Sequence, residues 1–353
     1  MSEKKEQKQV RIIDIARKAK VSIGTVDRVL YNRGGVKPST KEKILKIIQE
    51  LDYSPNMLAK SLALKKKYKV VVFMPDGAHN AYWQKPYKGI SQAVSDLMNF
   101  NFEVDVVTFD LSDENSFLHQ AEKVIRIHPA GVVFVPVFKK SAFDFCHELE
   151  RQDIPYSFMD IYLQGAGQIA FFGQDAEKSG RVAGKLMCHG LTSGSVVGIV
   201  SITDKMPISR NIINRVNGFK SFFVSEDKTV RFEEVVIDLS LNRDLNHFFQ
   251  MLIKKNIHGI FVPNSRAHLV AEFLTHEKVN SNILLVGYDL IEQNVRFLKN
   301  GGISFLISQK PEQQIYNAIK SLFDYILLDK KDRKINYSPI DILIKENIEF
   351  YKK

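Results

Sequence analysis

From Lys69 onward, short apolar runs alternate with amphipathic stretches, and this alternation restricts the fold more than any other feature of the chain. Apolar runs of about four to eight residues are typical of buried strands, whereas apolar residues at helical spacing are typical of amphipathic helices. Strands that alternate with helices predict parallel sheets with helices on both faces. The predicted strands are Val70–Met74, Phe102–Phe109, Gly131–Val137, Pro155–Met159, Val196–Val200, Phe232–Ile237, Gly259–Val262, Leu284–Val286 and Ser304–Ile307, with a final strand at Pro339–Ile344. Because these strands are too many for a single sheet, we expect an α/β body of two lobes, each with its own sheet.

The first 69 residues carry the whole excess of positive charge. They contain 18 Lys and Arg against 7 Asp and Glu, a net charge of +11, whereas the rest of the chain contains 32 basic and 33 acidic residues, a net charge of −1. A solvated basic tail is one explanation. However, apolar residues recur at helical spacing through this stretch and favour a small folded all-α domain. A folded basic domain points to a polyanion such as DNA.

Two short helices separated by a tight break are predicted near the N-terminus. An apolar stripe predicts a helix over residues 12–19, and Ser22 can cap a second helix over residues 23–31. The break between them is only a few residues long, which is the spacing of a helix-turn-helix. Ser39 and Glu42 form a capping-box pattern for a third helix that reaches about Leu51.

A fourth helix is expected just before the α/β body. A turn at residues 53–56 precedes it, Pro55 can open it, and it closes at about Ala63. Isolated helices as short as this one are unstable in water. We therefore expect this segment to order only on a partner.

Polar side chains follow several apolar runs of the body, where parallel sheets bind their ligands. The candidates for ligand binding are Asp76, Asn80, Tyr82, Trp83, Asp160, Asp175, Arg215, Asn264, Asp289 and Gln309. Carboxylates, amides and an arginine make paired hydrogen bonds to adjacent hydroxyls, and an aromatic ring stacks on the apolar face of a sugar. This set therefore predicts a neutral polyhydroxyl ligand. For Asp175, capping of the following helix is an equally good explanation.

The motifs of both parts resemble those of the LacI/GalR family of transcription regulators. In the N-terminal part these are Ile13-Asp14-Ile15-Ala16, Val21-Ser22, Thr25-Val26, Arg28-Val29-Leu30, Tyr53-Ser54-Pro55-Asn56 and Leu62-Ala63. In the body they are Gly173-Gln174-Asp175, Arg215 with Gly218-Phe219, Val286-Gly287-Tyr288-Asp289 and Ser308-Gln309. The resemblance covers nearly the whole chain. It implies a helix-turn-helix headpiece, a hinge helix and an effector domain of the periplasmic-binding-protein-like fold.

The resemblance also implies a DNA-binding surface and a wedge. The implied DNA contacts are Ser22, Ile23, Gly24, Thr25, Asp27, Arg28, Asn32, Asn56, Ala59 and Leu62. The second helix would lie in the major groove, where Arg28 can bind guanine through two hydrogen bonds, and Leu62 would insert into the minor groove. Packing of Leu62 on the body is the alternative. The expected partners are a pseudo-palindromic operator duplex, a sugar or polyol effector, and a second copy of the chain in a homodimer.

Two positions of the second helix depart from a polar reading surface. Gly24 brings no side chain, and Asp27 places a negative charge near phosphates. Asp27 can accept a hydrogen bond from cytosine, or it can orient Arg28. In the body, Ser265 follows Asn264 where the family commonly has Asp, which favours recognition of a different hydroxyl.

The domains expected from these patterns are a headpiece at 10–54, a hinge and linker at 55–68, and an effector domain at 69–353. Within the effector domain, lobe 1 is expected at about 69–168 plus 292–325, and lobe 2 at about 169–291 plus 326–353.

Other function classes are disfavoured by the sequence. It contains no P-loop, nucleophile-elbow, zinc-protease or dinucleotide-binding motif, so we expect no enzyme activity, cofactor or metal. Only Cys146 and Cys188 occur, no apolar run approaches the ~18 residues of a membrane span, and the N-terminus lacks a signal-peptide pattern. We therefore predict a cytoplasmic regulator, most simply a repressor. The alternative is a solute-binding protein for sugar uptake or sensing without DNA binding.

Overall fold

The computed structural model describes residues 10–30, 33–51, 53, 67–78, 80–205, 208–241, 245–279 and 283–351. The chain divides near Lys67 into two compact units, and each is described by itself.

The described residues of the N-terminal unit form three helices around one small core. They are α1 (Ile12–Ala19), α2 (Ile23–Leu30) and α3 (Pro38–Glu50). The apolar stripes of the three helices meet in a buried cluster of Ile15, Ala16, Ala19, Val26, Val29, Ile44 and Ile47. The left-handed backbone of Lys20, with a φ of 58°, ends α1, and α2 begins only three residues later. The two helices therefore form the predicted helix-turn-helix.

The caps of these helices agree with the prediction at Ser22 and differ at Ser39. The Ser22 hydroxyl accepts a hydrogen bond from the Thr25 N–H at 3.1 Å, as an N-cap does. Helix α3 begins one residue before Ser39, at Pro38, and its N-cap residue, Lys37, makes no side-chain capping hydrogen bond. The predicted capping box is therefore wrong. The helix begins at Pro38 because the proline ring already fixes the backbone conformation of a first helical residue.

The larger unit contains two six-stranded sheets flanked by helices, as the alternating pattern predicted. The first sheet has the order β11-β5-β4-β3-β1-β2, and all its strands are parallel. Its strands are β1 (Tyr68–Pro75), β2 (Phe102–Phe109), β3 (Gly131–Phe134), β4 (Tyr156–Met159), β5 (Ala170–Gly173) and β11 (Ile335–Tyr337). The second sheet has the order β12-β10-β9-β8-β6-β7, and only its edge strand β12 is antiparallel. Its strands are β6 (Val196–Thr203), β7 (Arg231–Asp238), β8 (Gly259–Phe261), β9 (Leu284–Tyr288), β10 (Phe305–Ser308) and β12 (Asp341–Leu343).

Ten helices of the larger unit connect these strands among the described residues. They are α4 (Ala81–Gln84), α5 (Pro86–Leu97), α6 (Glu114–Arg126), α7 (Lys139–Arg151), α8 (Ala176–Cys188), α9 (Arg210–Ser225), α10 (Leu245–Ile253), α11 (Ala267–His276), α12 (Glu292–Lys299) and α13 (Pro311–Leu328). Helix α13 packs on β3, β4 and β5 of the first sheet, whereas α12 packs on β10 of the second. Across the described ranges, no helix combines the length and apolar character needed to cross a bilayer.

The chain crosses between the lobes at different places from those predicted. Strand β10 pairs with β9 and β12 in the second sheet, and β5 and β11 pair in the first. The expected assignment of residues 292–308 to lobe 1 is therefore corrected, as is that of 169–173 and 335–337 to lobe 2. Strands β5 and β11 have four and three residues, and neither is among the strands predicted from the sequence.

Helices α8 and α9 cross almost backbone to backbone at two glycines. A Cβ atom on Gly180 would lie 2.0 Å from the Arg215 carbonyl oxygen, and one on Gly218 would lie 2.0 Å from the Glu177 carbonyl oxygen. Only glycine permits this approach. The crossing fixes the position of α9 against the second sheet.

We predict that Gly180→Ala lowers the free energy of unfolding by about 1–3 kcal/mol, because the added methyl group overpacks the crossing. Helix propensity alone favours Ala over Gly by about 1 kcal/mol, so the expected sign is opposite to that of an unconstrained helix. Urea denaturation measures the change, and Lys185→Ala, on the exposed face of α8, is the control. A stabilised Gly180→Ala variant would contradict the close crossing.

Candidate functional site

A cavity of about 160 Å³ lies between the two lobes, near the carboxyl ends of their strands. We call it the central cavity. It brings together eight of the ten predicted ligand-binding residues: Asn80, Tyr82, Trp83, Asp160, Arg215, Asn264, Asp289 and Gln309.

Arg215 is the buried cation of the central cavity, and only 4% of its surface is exposed. Its Nη1 donates to the Pro263 carbonyl oxygen at 2.9 Å, and its Nη2 donates to Oε1 of Gln309. The guanidinium lies over the Tyr288 ring, 4.2 Å from its centroid. Its Nε atom is buried and makes no hydrogen bond within the described structure. Arg215 is therefore held rigidly and retains an unused donor beside the cavity.

Asp289 follows β9 with a left-handed φ of 71° and is also buried. Its two carboxylate oxygens accept hydrogen bonds from Nε2 of Gln309 at 3.0 and 2.9 Å. Burial raises the pKa of Asp289 to about 7, although the Arg215 charge and the Gln309 hydrogen bond both lower it. Gln309 thus links the buried cation to the buried carboxylate.

Asp160 lies on the first lobe, at the end of β4, with a φ of 66°. Its carboxylate accepts a hydrogen bond from the Tyr82 hydroxyl at 2.8 Å, and its carbonyl oxygen accepts one from Nδ2 of Asn211 at 3.1 Å. Burial raises the pKa of Asp160, and burial followed by the Asp160 charge raises the pKa of Tyr82. Because Asn211 belongs to the second lobe, this contact joins the lobes across the cavity.

Asn264 and Trp83 also line the central cavity. Nδ2 of Asn264 donates to the Ile202 carbonyl oxygen at 2.6 Å, and its Oδ1 accepts from the Arg266 N–H at 3.3 Å. Trp83 is buried and makes an edge contact with the Tyr82 ring, with centroids 4.9 Å apart. The cavity therefore offers carboxylates, amides, a cation and aromatic surface to one small ligand.

Two of the predicted ligand-binding residues, Asp175 and Asp76, lie elsewhere. The Asp175 carboxylate accepts from the Lys178 N–H at 3.0 Å and caps α8, so here the helix-capping explanation is right. Asp76 is exposed, and its carboxylate accepts from the Ala78 N–H at 3.0 Å. It lines a second cavity, of about 510 Å³, which we call the outer chamber.

The sequence reasoning missed several residues that line the central cavity, among them Asp204, Ser209, Asn211 and Arg266. Two of them had a recognisable signal. Asn211 lies four residues before Arg215 in α9 and therefore shares its helix face. Arg266 follows Asn264 by two residues in the same loop.

The predicted DNA-reading residues of the N-terminal unit lie at its surface. Ser22, Ile23, Gly24 and Arg28 are exposed, and Thr25 and Asp27 are half-buried. The Asp27 carboxylate pairs with Nη1 of Arg33 at 3.3 Å, a partner that the sequence pattern does not predict. The other predicted DNA contacts, Asn32, Asn56, Ala59 and Leu62, lie outside the described residues.

Comparisons with known families match both parts of the chain. The family described as bacterial regulatory proteins, lacI family, matches residues 11–56. The family described as periplasmic binding protein domain matches residues 70–331.

Individual relatives point in the same direction. Over 64% of its own length, the chain is 29% identical to catabolite control protein A of Priestia megaterium. Over 72% of its own length, it is 25% identical to the HTH-type transcriptional regulator pepR1 of Lactobacillus delbrueckii subsp. lactis. These alignments cover 65% and 73% of the two relatives. A crystal structure from Bacteroides fragilis, assigned to the LacI transcriptional regulators, is 31% identical with a TM-score of 0.76, and the match covers 81% of this chain and all of that one. A solute-binding protein from Burkholderia graminis, in complex with D-arabinose, is 18% identical with a TM-score of 0.70 over 82% of this chain and 99% of that one, which shows a shared fold.

We predict that Asp289→Asn changes how stability depends on pH. The pKa of Asp289 is about 7 in the folded chain and 3.8 for a free side chain, so the neutral form favours folding. The contribution of the neutral carboxyl to the free energy of unfolding is fully present below about pH 4. It is lost as the pH rises to 7, at no more than about 1.4 kcal/mol per pH unit. Asn cannot ionise, so the unfolding free energy of the variant minus that of the native chain should rise between pH 4 and 7. Chemical denaturation across this range measures the difference, and parallel profiles would refute the assigned burial of the charge.

Proposed function

Because the chain belongs to the LacI family of bacterial regulatory proteins, we propose that it is a sequence-specific DNA-binding transcription regulator controlled by a small sugar-like effector. The observation that carries this proposal is the combination, in one chain, of a lacI-family helix-turn-helix and a polar inter-lobe cavity. The helix-turn-helix would bind DNA, and the cavity would bind the effector.

The chemistry of the central cavity supports a neutral polyhydroxyl effector. Arg215 offers a buried donor, Asp160 and Asp289 offer acceptors, and Asn264 offers an amide. Such groups bind adjacent hydroxyls in pairs, and the buried rings of Tyr82 and Trp83 can meet the apolar face of a sugar. Two buried carboxylates also disfavour a phosphate or carboxylate at the same place.

The charge of the N-terminal part supports DNA binding. The net charge of +11 over residues 1–69 suits the phosphate backbone, and the exposed side chains of α2 are available to base edges. Such a protein works where the chromosome is, which in a bacterium is the cytoplasm. We propose a homodimer on a pseudo-palindromic operator, since two-fold symmetric proteins match two half-sites.

The effector is proposed to act by closing the lobes. Asn211 and Asp160 already join the lobes across the cavity, so a ligand that bridges the same two lobes would favour the closed arrangement. A closed state with a different affinity for the operator gives allosteric coupling between sugar and DNA. Relief of repression by the effector is the simplest form of this coupling.

Titration with sugars should change the fluorescence of Trp83, the one tryptophan of the chain, because it lines the central cavity. We expect a saturable change with at least one neutral sugar or polyol of a broad panel, and the same compound should change operator binding. Arg215→Gln should abolish both responses while leaving DNA affinity in the absence of sugar within about twofold. The control is Lys185→Ala, which lies outside the cavity and should respond as the native chain does. If no compound of the panel gives a response, the sugar assignment is wrong.

Arg28→Ala should weaken binding to the preferred DNA sequence by about 1–3 kcal/mol and relax the base preference at one position of each half-site. The reason is loss of a bidentate contact from an exposed residue of α2. Selection of binding sites from a random duplex pool measures the preference. Lys18→Ala removes the same charge from a side chain that pairs with Glu50, and it should leave the selected sequence unchanged. An unaltered sequence profile for Arg28→Ala would remove this residue from the reading surface.

A further inference from the structure

The central cavity continues into the outer chamber. Both are lined by Asn80, Leu111, Asp204 and Arg266, so the two spaces meet along a shared wall. The outer chamber is the larger of the two, at about 510 Å³. A ligand confined to the central cavity would leave this polar space unused.

Arg266 lies at the junction of the two spaces and is held loosely. Its side chain is 20% exposed, and its Nη2 lies 3.8 Å from Oδ2 of Asp204, at the long end of an ion pair. A guanidinium has five donors, and burial of this one lowers its pKa. It is therefore a partly desolvated cation with donor capacity directed to a ligand that crosses the junction.

The outer chamber repeats the chemistry of the central cavity. The first lobe contributes Asp76 and Asp110, which follow the ends of β1 and β2, together with the hydroxyl groups of Ser112 and Ser116. The second lobe contributes Asp204, Lys205 and Arg266. Three carboxylates and two cations give mixed charge rather than a site for an anion, and carboxylates beside hydroxyls and a guanidinium again suit a polyhydroxyl group.

We propose that the effector is an oligosaccharide of at least two rings, with one ring in the central cavity and the next in the outer chamber. This proposal rests on the proposed function, since it names the class of effector for the same site. Arg266 binds near the glycosidic link, and Asp76 binds hydroxyls of the second ring only.

A third cavity, of about 130 Å³, shares Val137, Ile161 and Ser209 with the central cavity and is less suited to a second sugar ring. It is lined mainly by apolar and aromatic side chains, among them Phe138, Tyr162 and Leu163. These side chains offer few acceptors for hydroxyl groups. Of these two neighbouring cavities, the outer chamber offers more hydrogen-bonding groups to a second ring.

The test compares a monosaccharide that changes Trp83 fluorescence with disaccharides that contain it. We expect at least one disaccharide to bind tenfold or more tightly than the monosaccharide. Asp76→Asn, which keeps the oxygen that accepts from Ala78, should weaken the disaccharide at least fivefold and the monosaccharide less than twofold. Arg266→Gln should weaken the disaccharide more than the monosaccharide. The control is Lys139→Gln, which lines the third cavity and neither of the other two, and which should change neither affinity.

The outcomes separate this proposal from the proposed function. A monosaccharide that binds well, with no disaccharide binding better, overturns the two-ring proposal and leaves the proposed function standing. Equal losses for both ligands in Asp76→Asn, or a selective loss in Lys139→Gln, also overturn the placement of the second ring. A lack of response to sugars of any length overturns the sugar assignment of the proposed function. Unchanged monosaccharide binding by Asp76→Asn shows at the same time that this variant is folded.

Discussion

The central cavity depends on one buried guanidinium. An isolated charge in a protein interior is costly, and Arg215 is tolerated because Pro263, Gln309 and the Tyr288 ring surround it. Those partners come from the loop after β8, the end of β10 and the end of β9. Satisfying the cation therefore fixes three strand ends of the second lobe in one arrangement, and Gln309 extends that arrangement to Asp289. The same contacts leave Nε buried and without a hydrogen bond in the described structure, so this donor remains available to the proposed ligand.

The position of Arg215 depends in turn on two glycines, which have no side chain at the crossing of α8 and α9. Helix α9 can approach α8 only because Gly180 and Gly218 lie at the crossing, and the backbone atom nearest to a Cβ on Gly180 is the carbonyl oxygen of Arg215 itself. Close packing of this kind has little freedom to relax. The two glycines thus set the distance between α8 and α9 and with it the position of the guanidinium, although neither glycine lines the cavity. This explains physically why a glycine and an arginine occur together in the same stretch of the chain.

Much of this architecture could be predicted from the sequence, because burial on both faces of a parallel sheet leaves long apolar runs. The exceptions are instructive. Strands β5 and β11 are held in the first sheet by pairing with each other, and β10 belongs to the second sheet through its pairing with β9. Asp175 and Asp289 both follow apolar runs. Asp175, with a φ of −66°, turns its carboxylate onto a helix N-terminus, whereas Asp289, with a φ of 71°, lies buried beside Gln309. That difference arises from tertiary contacts, which the local sequence does not contain.

The distribution of charge limits how the proposed sugar and DNA sites can be coupled. The positive charge needed for phosphate lies within residues 1–69, and the rest of the chain has a net charge of only −1. Electrostatic interactions between exposed charges are largely screened beyond about 8 Å at physiological salt. A neutral sugar adds no charge, so it cannot change DNA affinity through the field of the protein. We infer that the coupling is conformational: the sugar stabilises one arrangement of the two lobes, and its effect on DNA equals its differential affinity for that arrangement. The contact between Asn211 and Asp160 is the feature of the cavity that such a ligand would strengthen or replace.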